Sequence, residues 1–103
     1  MNSTDKGKKG ERELSNILKE HGFNTRRGQQ YCGANGDADV IGLPGIHIEC
    51  KRVERLNMSS AMKQSKNDAE ESEIPVVMHR KNRESWLVTM ELDDWLQLFE
   101  AVI

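Results

Sequence analysis

The chain predicts an α/β domain in which one central sheet is covered by helices. Two kinds of observation support this. Apolar residues recur at three- to four-residue spacing in two segments, near each end of the chain. Between them lie short runs rich in β-branched residues, bounded by glycine- and proline-containing turns. Together they give the order helix, three strands, helix, two strands, helix, and that alternation implies a sheet with helices packed on it.

Residues Met1 to about Lys8 are polar and read as a loose tail. From about Lys9 to Glu20, Leu14, Ile17 and Leu18 form one helical stripe, extended by His21. Gly22 stops the helix and Phe23 is expected to pack back. Asn24 to Arg27 reads as a first strand and Gly28 to Gly36 as a loop. Asp39-Val40-Ile41-Gly42 begins a second strand, Leu43-Pro44-Gly45 is a turn, and Ile46 to Arg52 is the third strand of the resulting hairpin. Within it Ile46, Ile48 and Cys50 share one face, and His47, Glu49 and Lys51 share the other. Asn57, Ser59 or Ser60 can cap a second helix that runs to about Glu71, with Ala61, Met62, Ser65 and Ala69 as a weak apolar face and Glu73-Ile74-Pro75 as its break. Val76-Val77-Met78 and Trp86 to Met90 read as the last two strands. Asp93 and Asp94 then open a helix whose inner face is expected to be Trp95, Leu96 and Phe99.

At 103 residues the chain has the length of a single domain, 1–103. Its net charge of −2 argues at first against a nucleic-acid partner. The distribution argues for one: Lys and Arg outnumber Asp and Glu by 12 to 8 in residues 1–66 and trail them by 3 to 9 in residues 67–103. A basic front half can meet phosphates while an acidic rear faces water. Cys32 and Cys50 form no CxxC pair, which weighs against structural zinc and fits a reducing, cytoplasmic setting. No apolar run approaches the ~20 residues needed to span a bilayer, so no membrane role is expected.

The chemistry concentrates in Gly36-Asp37-Ala38-Asp39-Val40-Ile41-Gly42 and Ile48-Glu49-Cys50-Lys51. The hairpin brings the Asp39 carboxylate near that of Glu49, and two carboxylates so placed repel each other unless a cation lies between them. Hard oxygen ligands suit Mg²⁺, with Mn²⁺ as a substitute. Lys51, on the face of Glu49, can orient a water and stabilise developing phosphate charge. Alone, an E-x-K on a strand is an ion pair on a wet surface, worth little. The aspartate on the adjoining strand and the acidic opening helix lift this pattern above that reading. Asp37 rivals Asp39, and Glu13 rivals Glu11, on spacing alone.

These residues resemble the PD-(D/E)xK nuclease superfamily, and most of all the small archaeal and phage Holliday junction resolvases. The resemblance covers about residues 7–52, through Gly10-Glu11-Arg12-Glu13-Leu14, Leu18, His21-Gly22-Phe23, Arg27, Asp39-Val40-Ile41 and Ile48-Glu49-Cys50-Lys51. It implies the restriction-endonuclease-like fold, here a mixed five-stranded sheet in the order α-β-β-β-α-β-β-α. It also implies metal ligands at Glu11, Asp39 and Glu49, a catalytic cation at Lys51, and a homodimer that makes paired cuts in branched DNA. Gln64 stands where related nucleases carry a supporting glutamine. The motif's proline is replaced by Ala38. Compact size and resemblance suggest a phage or prophage origin.

Lys8, Lys9, Arg12, Arg26, Arg27 and Arg52 are candidate phosphate contacts, set against solvated charge as the alternative. His47 is read as a surface histidine, and Trp86 and Trp95 as core residues. Two other readings of function are a VRR-NUC-like or general nicking nuclease, and a non-catalytic DNA- or protein-binding module.

Overall fold

The structure, a computed structural model, describes residues 3–28 and 38–103, with side chains from residue 7 onward. Asp37, Cys32 and nearly all of the glycine-rich loop lie outside the described residues. The elements are α1 (Ser3–Glu20), β1 (Arg26–Arg27), β2 (Val40–Ile41), β3 (Ile46–Arg52), α2 (Met58–Asp68), β4 (Ile74–Arg80), β5 (Leu87–Met90) and α3 (Leu92–Val102). The strands form one sheet in sequence order, β1-β2-β3-β4-β5. All neighbours are antiparallel except β3 and β4, which run parallel, so α2 is the crossover between them. The sheet is therefore mixed and helix-flanked, as expected.

Helix α1 begins at Ser3 and so takes in most of the segment read as a tail. Lysine is a good helix former, an acid suits a helix's first turn, and one docked stripe further along holds the whole helix. That stripe, Leu14 with Leu18, packs on Val40, Ile48, Cys50, Val76 and Met78, the buried core. Gly22, at φ 96, ends α1: its N–H donates to the Lys19 carbonyl at 2.9 Å, and the Phe23 N–H donates to that of Leu18 at 3.1 Å. Phe23 itself is exposed rather than packed back, because this turn needs only its backbone. Thr25 and Ser15, both buried, tie α1 to the approach to β1: the Thr25 hydroxyl donates to the Ser15 carbonyl at 2.9 Å.

Strands β1 and β2 are shorter than expected, since each is paired over only two residues. Strand β3 has the expected bounds, Ile46–Arg52, and its central position buries both faces. Ile48 and Cys50 look toward α1, and His47 and Glu49 toward α2. Asn57 caps α2 by accepting the Ser60 N–H at 3.0 Å. Helix α2 ends at Asp68 rather than Glu71, and Ile74-Pro75 start β4 instead of lying in a break. Ala61 and Ser65 are its buried contacts, with the Ser65 hydroxyl donating to the Val76 carbonyl at 2.9 Å.

Two further expectations fail. His47 is 4% exposed, because α2 covers the β3 face that periodicity alone leaves open. Helix α3 buries no residue: Leu92, Trp95, Leu96, Leu98, Phe99 and Val102 are all exposed. Its apolar stripe is real but faces away from this chain's core, and Trp95 stacks on Phe99 with ring centroids 5.2 Å apart. Trp86, by contrast, packs against the core as expected.

Candidate active site

The site lies at the junction of α1, β2 and β3. Strand β2 is too short to continue its ladder along β3, and the Asp39 side chain takes over: its Oδ2 accepts the Cys50 N–H at 2.8 Å. The Asp39 backbone is fixed on both sides, its N–H donating to the Ile48 carbonyl at 3.0 Å and its carbonyl accepting from Gly28 at 2.9 Å. This places the Asp39 carboxyl against Glu49, with a hydrogen bond between the two side chains.

Glu49 is 4% exposed. Burial is the largest cause that pushes its carboxyl up to about 8, followed by the hydrogen bond and charge of Asp39, against the opposing pull of Lys51. Lys51 Nζ stands 3.8 Å from Glu49 Oε1. Burial also raises the carboxyl of Glu11, offset by Arg27, whose Nε donates to Glu11 Oε1 at 2.9 Å. Asp39 and Lys51 both act on Glu11 electrostatically, so α1 delivers it to the same neighbourhood.

Gly10 makes that delivery possible. A Cβ at position 10 would sit 2.5 Å from Arg52 Cβ, so only glycine lets α1 cross the end of β3 this closely. Glu13, the rival of Glu11, is engaged elsewhere: its Oε1 accepts from Arg80 Nη1 at 2.6 Å and Trp86 Nε1 at 2.9 Å, clamping α1 to the far strands.

Glu11, Asp39, Glu49 and Lys51 are thus brought together. Gln64 is exposed, one turn before Asp68 on α2. Among the described residues, the three side chains whose metal-ligating atoms gather within 4.8 Å of one another are His47, Glu49 and Asp68. Only Glu49 belongs to the expected set. Spacing along the chain misses Asp68, because α2 has to fold back over β3 to bring it in. The available signal was His47, two residues before Glu49 and on its face.

Lys8, Lys9, Arg12 and Arg26 are exposed. Arg27 and Arg52 are partly buried: Arg27 is paired with Glu11, and Arg52 lies against Gly10 with Nη1 buried and without a hydrogen-bond partner among the described residues. No described helix is long and apolar enough to cross a membrane.

A mixed sheet with helices on both faces, an acid before its second strand and E-x-K on its third define a nuclease of the PD-(D/E)xK type. The sequence profile of archaeal Holliday junction resolvases (Hjc) matches residues 2–91, and the chain belongs to that family, a family of structure-selective nucleases. Among solved structures, the fold is similar to Hjc, a Holliday junction resolvase from the archaeal hyperthermophile Archaeoglobus fulgidus. The match has a TM-score of 0.61 and 21% identity, covering 80% of this chain and 74% of that one. A comparison with curated proteins returns no match.

Proposed function

We propose that this nuclease is a Mg²⁺-dependent endodeoxyribonuclease that cuts branched DNA, with Asp39 and Glu49 as the principal metal ligands, Glu11 as the third acid and Lys51 as the catalytic cation. The observation that carries the reading is the hydrogen-bonded Asp39–Glu49 pair with Lys51 beside it. A buried carboxyl in contact with a half-buried one is stable only if the two share a proton or a cation, so the donor set fits a hard divalent ion. Bound there, Mg²⁺ or Mn²⁺ would supply Lewis acidity toward a phosphate oxygen and lower the pKa of a coordinated water.

The chain's own groups do the rest. The Cys50 amide holds Asp39 in register. Arg27 holds Glu11 beside the pair while its Glu11 oxygen remains an acceptor for a second partner. Lys51, 31% exposed at its side chain, reaches toward solvent from the rim of the pair, where it orients the attacking water and stabilises charge on the phosphate in flight. Lys8, Lys9, Arg12 and Arg26, all exposed, supply phosphate contacts from the half of the sequence that carries the site.

Paired incisions need two such sites, and the reading includes a homodimer. Its support is the apolar surface of α3 and β5, where Leu92, Trp95, Leu96, Phe99, Leu87 and Val88 are exposed on a chain too small to leave them idle. A labelled four-way junction and a linear duplex of equal length, each with Mg²⁺, Mn²⁺ or EDTA, test the whole. Metal-dependent symmetric cuts in the junction alone are expected. Cuts in both substrates would mean a general nicking nuclease, and binding without cutting would mean a non-catalytic module.

A further inference from the structure

We infer that His47, Glu49 and Asp68 form a second cation site, adjoining the first through Glu49, that takes a transition-metal ion such as Mn²⁺ or Zn²⁺ in preference to Mg²⁺. One ring nitrogen of His47 and one oxygen each of Glu49 and Asp68 lie within 4.8 Å of one another. Metal–ligand bonds of ~2.1 Å hold the donor atoms of a tetrahedral ion about 3.4 Å apart, so closure requires shifts of up to about 1.4 Å. Asp68 is exposed at the end of α2 and can make them.

A second observation is independent of that gathering. His47 is 4% exposed, yet its Nε2 is buried and has no hydrogen-bond partner among the described residues. Its Nδ1 faces Glu73 Oε1 at 3.7 Å. With Nδ1 turned toward that carboxylate, Nε2 is the nitrogen left to coordinate. Buried nitrogens are ordinarily satisfied, so the orphan calls for a ligand. An imidazole donor shifts selectivity away from Mg²⁺, which prefers oxygen and water, toward Mn²⁺ and Zn²⁺. Asp68, being exposed, gives the ion a way in from solvent.

That this ion abuts a cleavage ion rests on the nuclease reading; that it binds at all does not. The test is pulsed electron paramagnetic resonance and calorimetry of the whole chain with Mn²⁺ alone, without DNA. Coupling of the bound Mn²⁺ to an imidazole nitrogen is expected in the wild type and is lost in His47→Gln. Because His47 is buried, Asp68→Asn at its exposed position provides a second test and is expected to weaken the nitrogen-coupled Mn²⁺ at least tenfold. Asp39→Asn is expected to keep the nitrogen coupling while losing metal-dependent cutting. A wild type without nitrogen coupling, or an Asp68→Asn variant with unchanged Mn²⁺ affinity, overturns the second site and leaves the cleavage reading intact. Nitrogen coupling together with undiminished cutting by Asp39→Asn supports the second site and overturns the cleavage assignment instead.

Discussion

Helices α1 and α3 sit at opposite ends of the chain and contradict their compositions. Helix α1 is strongly polar, carrying Lys6, Lys8, Lys9, Glu11, Arg12 and Glu13, yet it docks on the sheet and builds the site. Helix α3 is mostly apolar and buries nothing. The difference lies in what each can approach. A single leucine stripe and one glycine at the crossing are enough for α1, since Gly10 removes the atom that would hold it off Arg52. Helix α3 follows β5 at the open edge of the sheet, where Leu87 and Val88 are left exposed together with its own stripe. Apolar content measures how much a helix needs a partner. It does not say which molecule supplies one.

The sharpest way to break this contrast is to separate the chemistry at the α1 end from the assembly at the α3 end. Lys51→Ala is expected to lower the cleavage rate by ~10²–10³-fold or more, the scale of removing one transition-state charge partner. Binding of uncut junction, read by gel shift in EDTA, should change little. Equal cleavage by the variant removes Lys51 from the mechanism.

At the other end, Trp95→Ala combined with Phe99→Ala should weaken self-association by ~30-fold or more, as expected for paired aromatic anchors. Sedimentation equilibrium would show monomer, with far-ultraviolet circular dichroism unchanged because neither residue supports this chain's core. Loss of the fold instead would mean that α3 packs inward after all.

Within α1, two glycines sharpen the argument. Gly10→Ala is expected to cost ~1–3 kcal/mol by overpacking against Arg52. Gly7→Ala meets nothing within 4 Å and should stabilise by ~0.5–1 kcal/mol. Denaturant titration of both variants checks the sign of each; two changes of the same sign would mean that α1 does not cross β3 at Gly10.

The α1 end also carries an effect of pH. Glu49 titrates near 8 in the folded chain against an ordinary 4.5, so the native state holds a proton that the unfolded state has lost. The stability this contributes is complete below about 4.5 and disappears as pH rises through about 8. Thermal melts in EDTA should fall across that window. Mg²⁺ should flatten the decline, because the cation replaces the proton, and its binding should tighten toward pH 8 with proton release.

Much of this was legible in the residues themselves. Strict alternation after a Leu-Pro-Gly turn set the bounds of β3 at Ile46 and Arg52, and Asn57 and Gly22 marked a helix start and a helix stop by their backbone chemistry. The hairpin placed Asp39 beside Glu49 before any coordinates. What stayed hidden depends on contacts between distant segments. Glu13 separates from Glu11 only through Arg80 and Trp86, more than sixty residues away. His47 reads as a surface residue until α2 covers it, and Asp68 has no motif of its own. The exposed face of α3 has the same 3.6-residue period as a buried one, because periodicity records which face is apolar and not what lies opposite.

One bond in the site has a consequence for how the sequence can vary. In addition to its side-chain contact with Glu49, Asp39 accepts the peptide N–H of residue 50, a main-chain hold. Every amino acid but proline carries that group. As far as the aspartate's position is concerned, residue 50 is therefore free to drift among side chains that fill the core beneath it. The geometry of the carboxylate passes from variant to variant through the main chain, where point substitution rarely reaches.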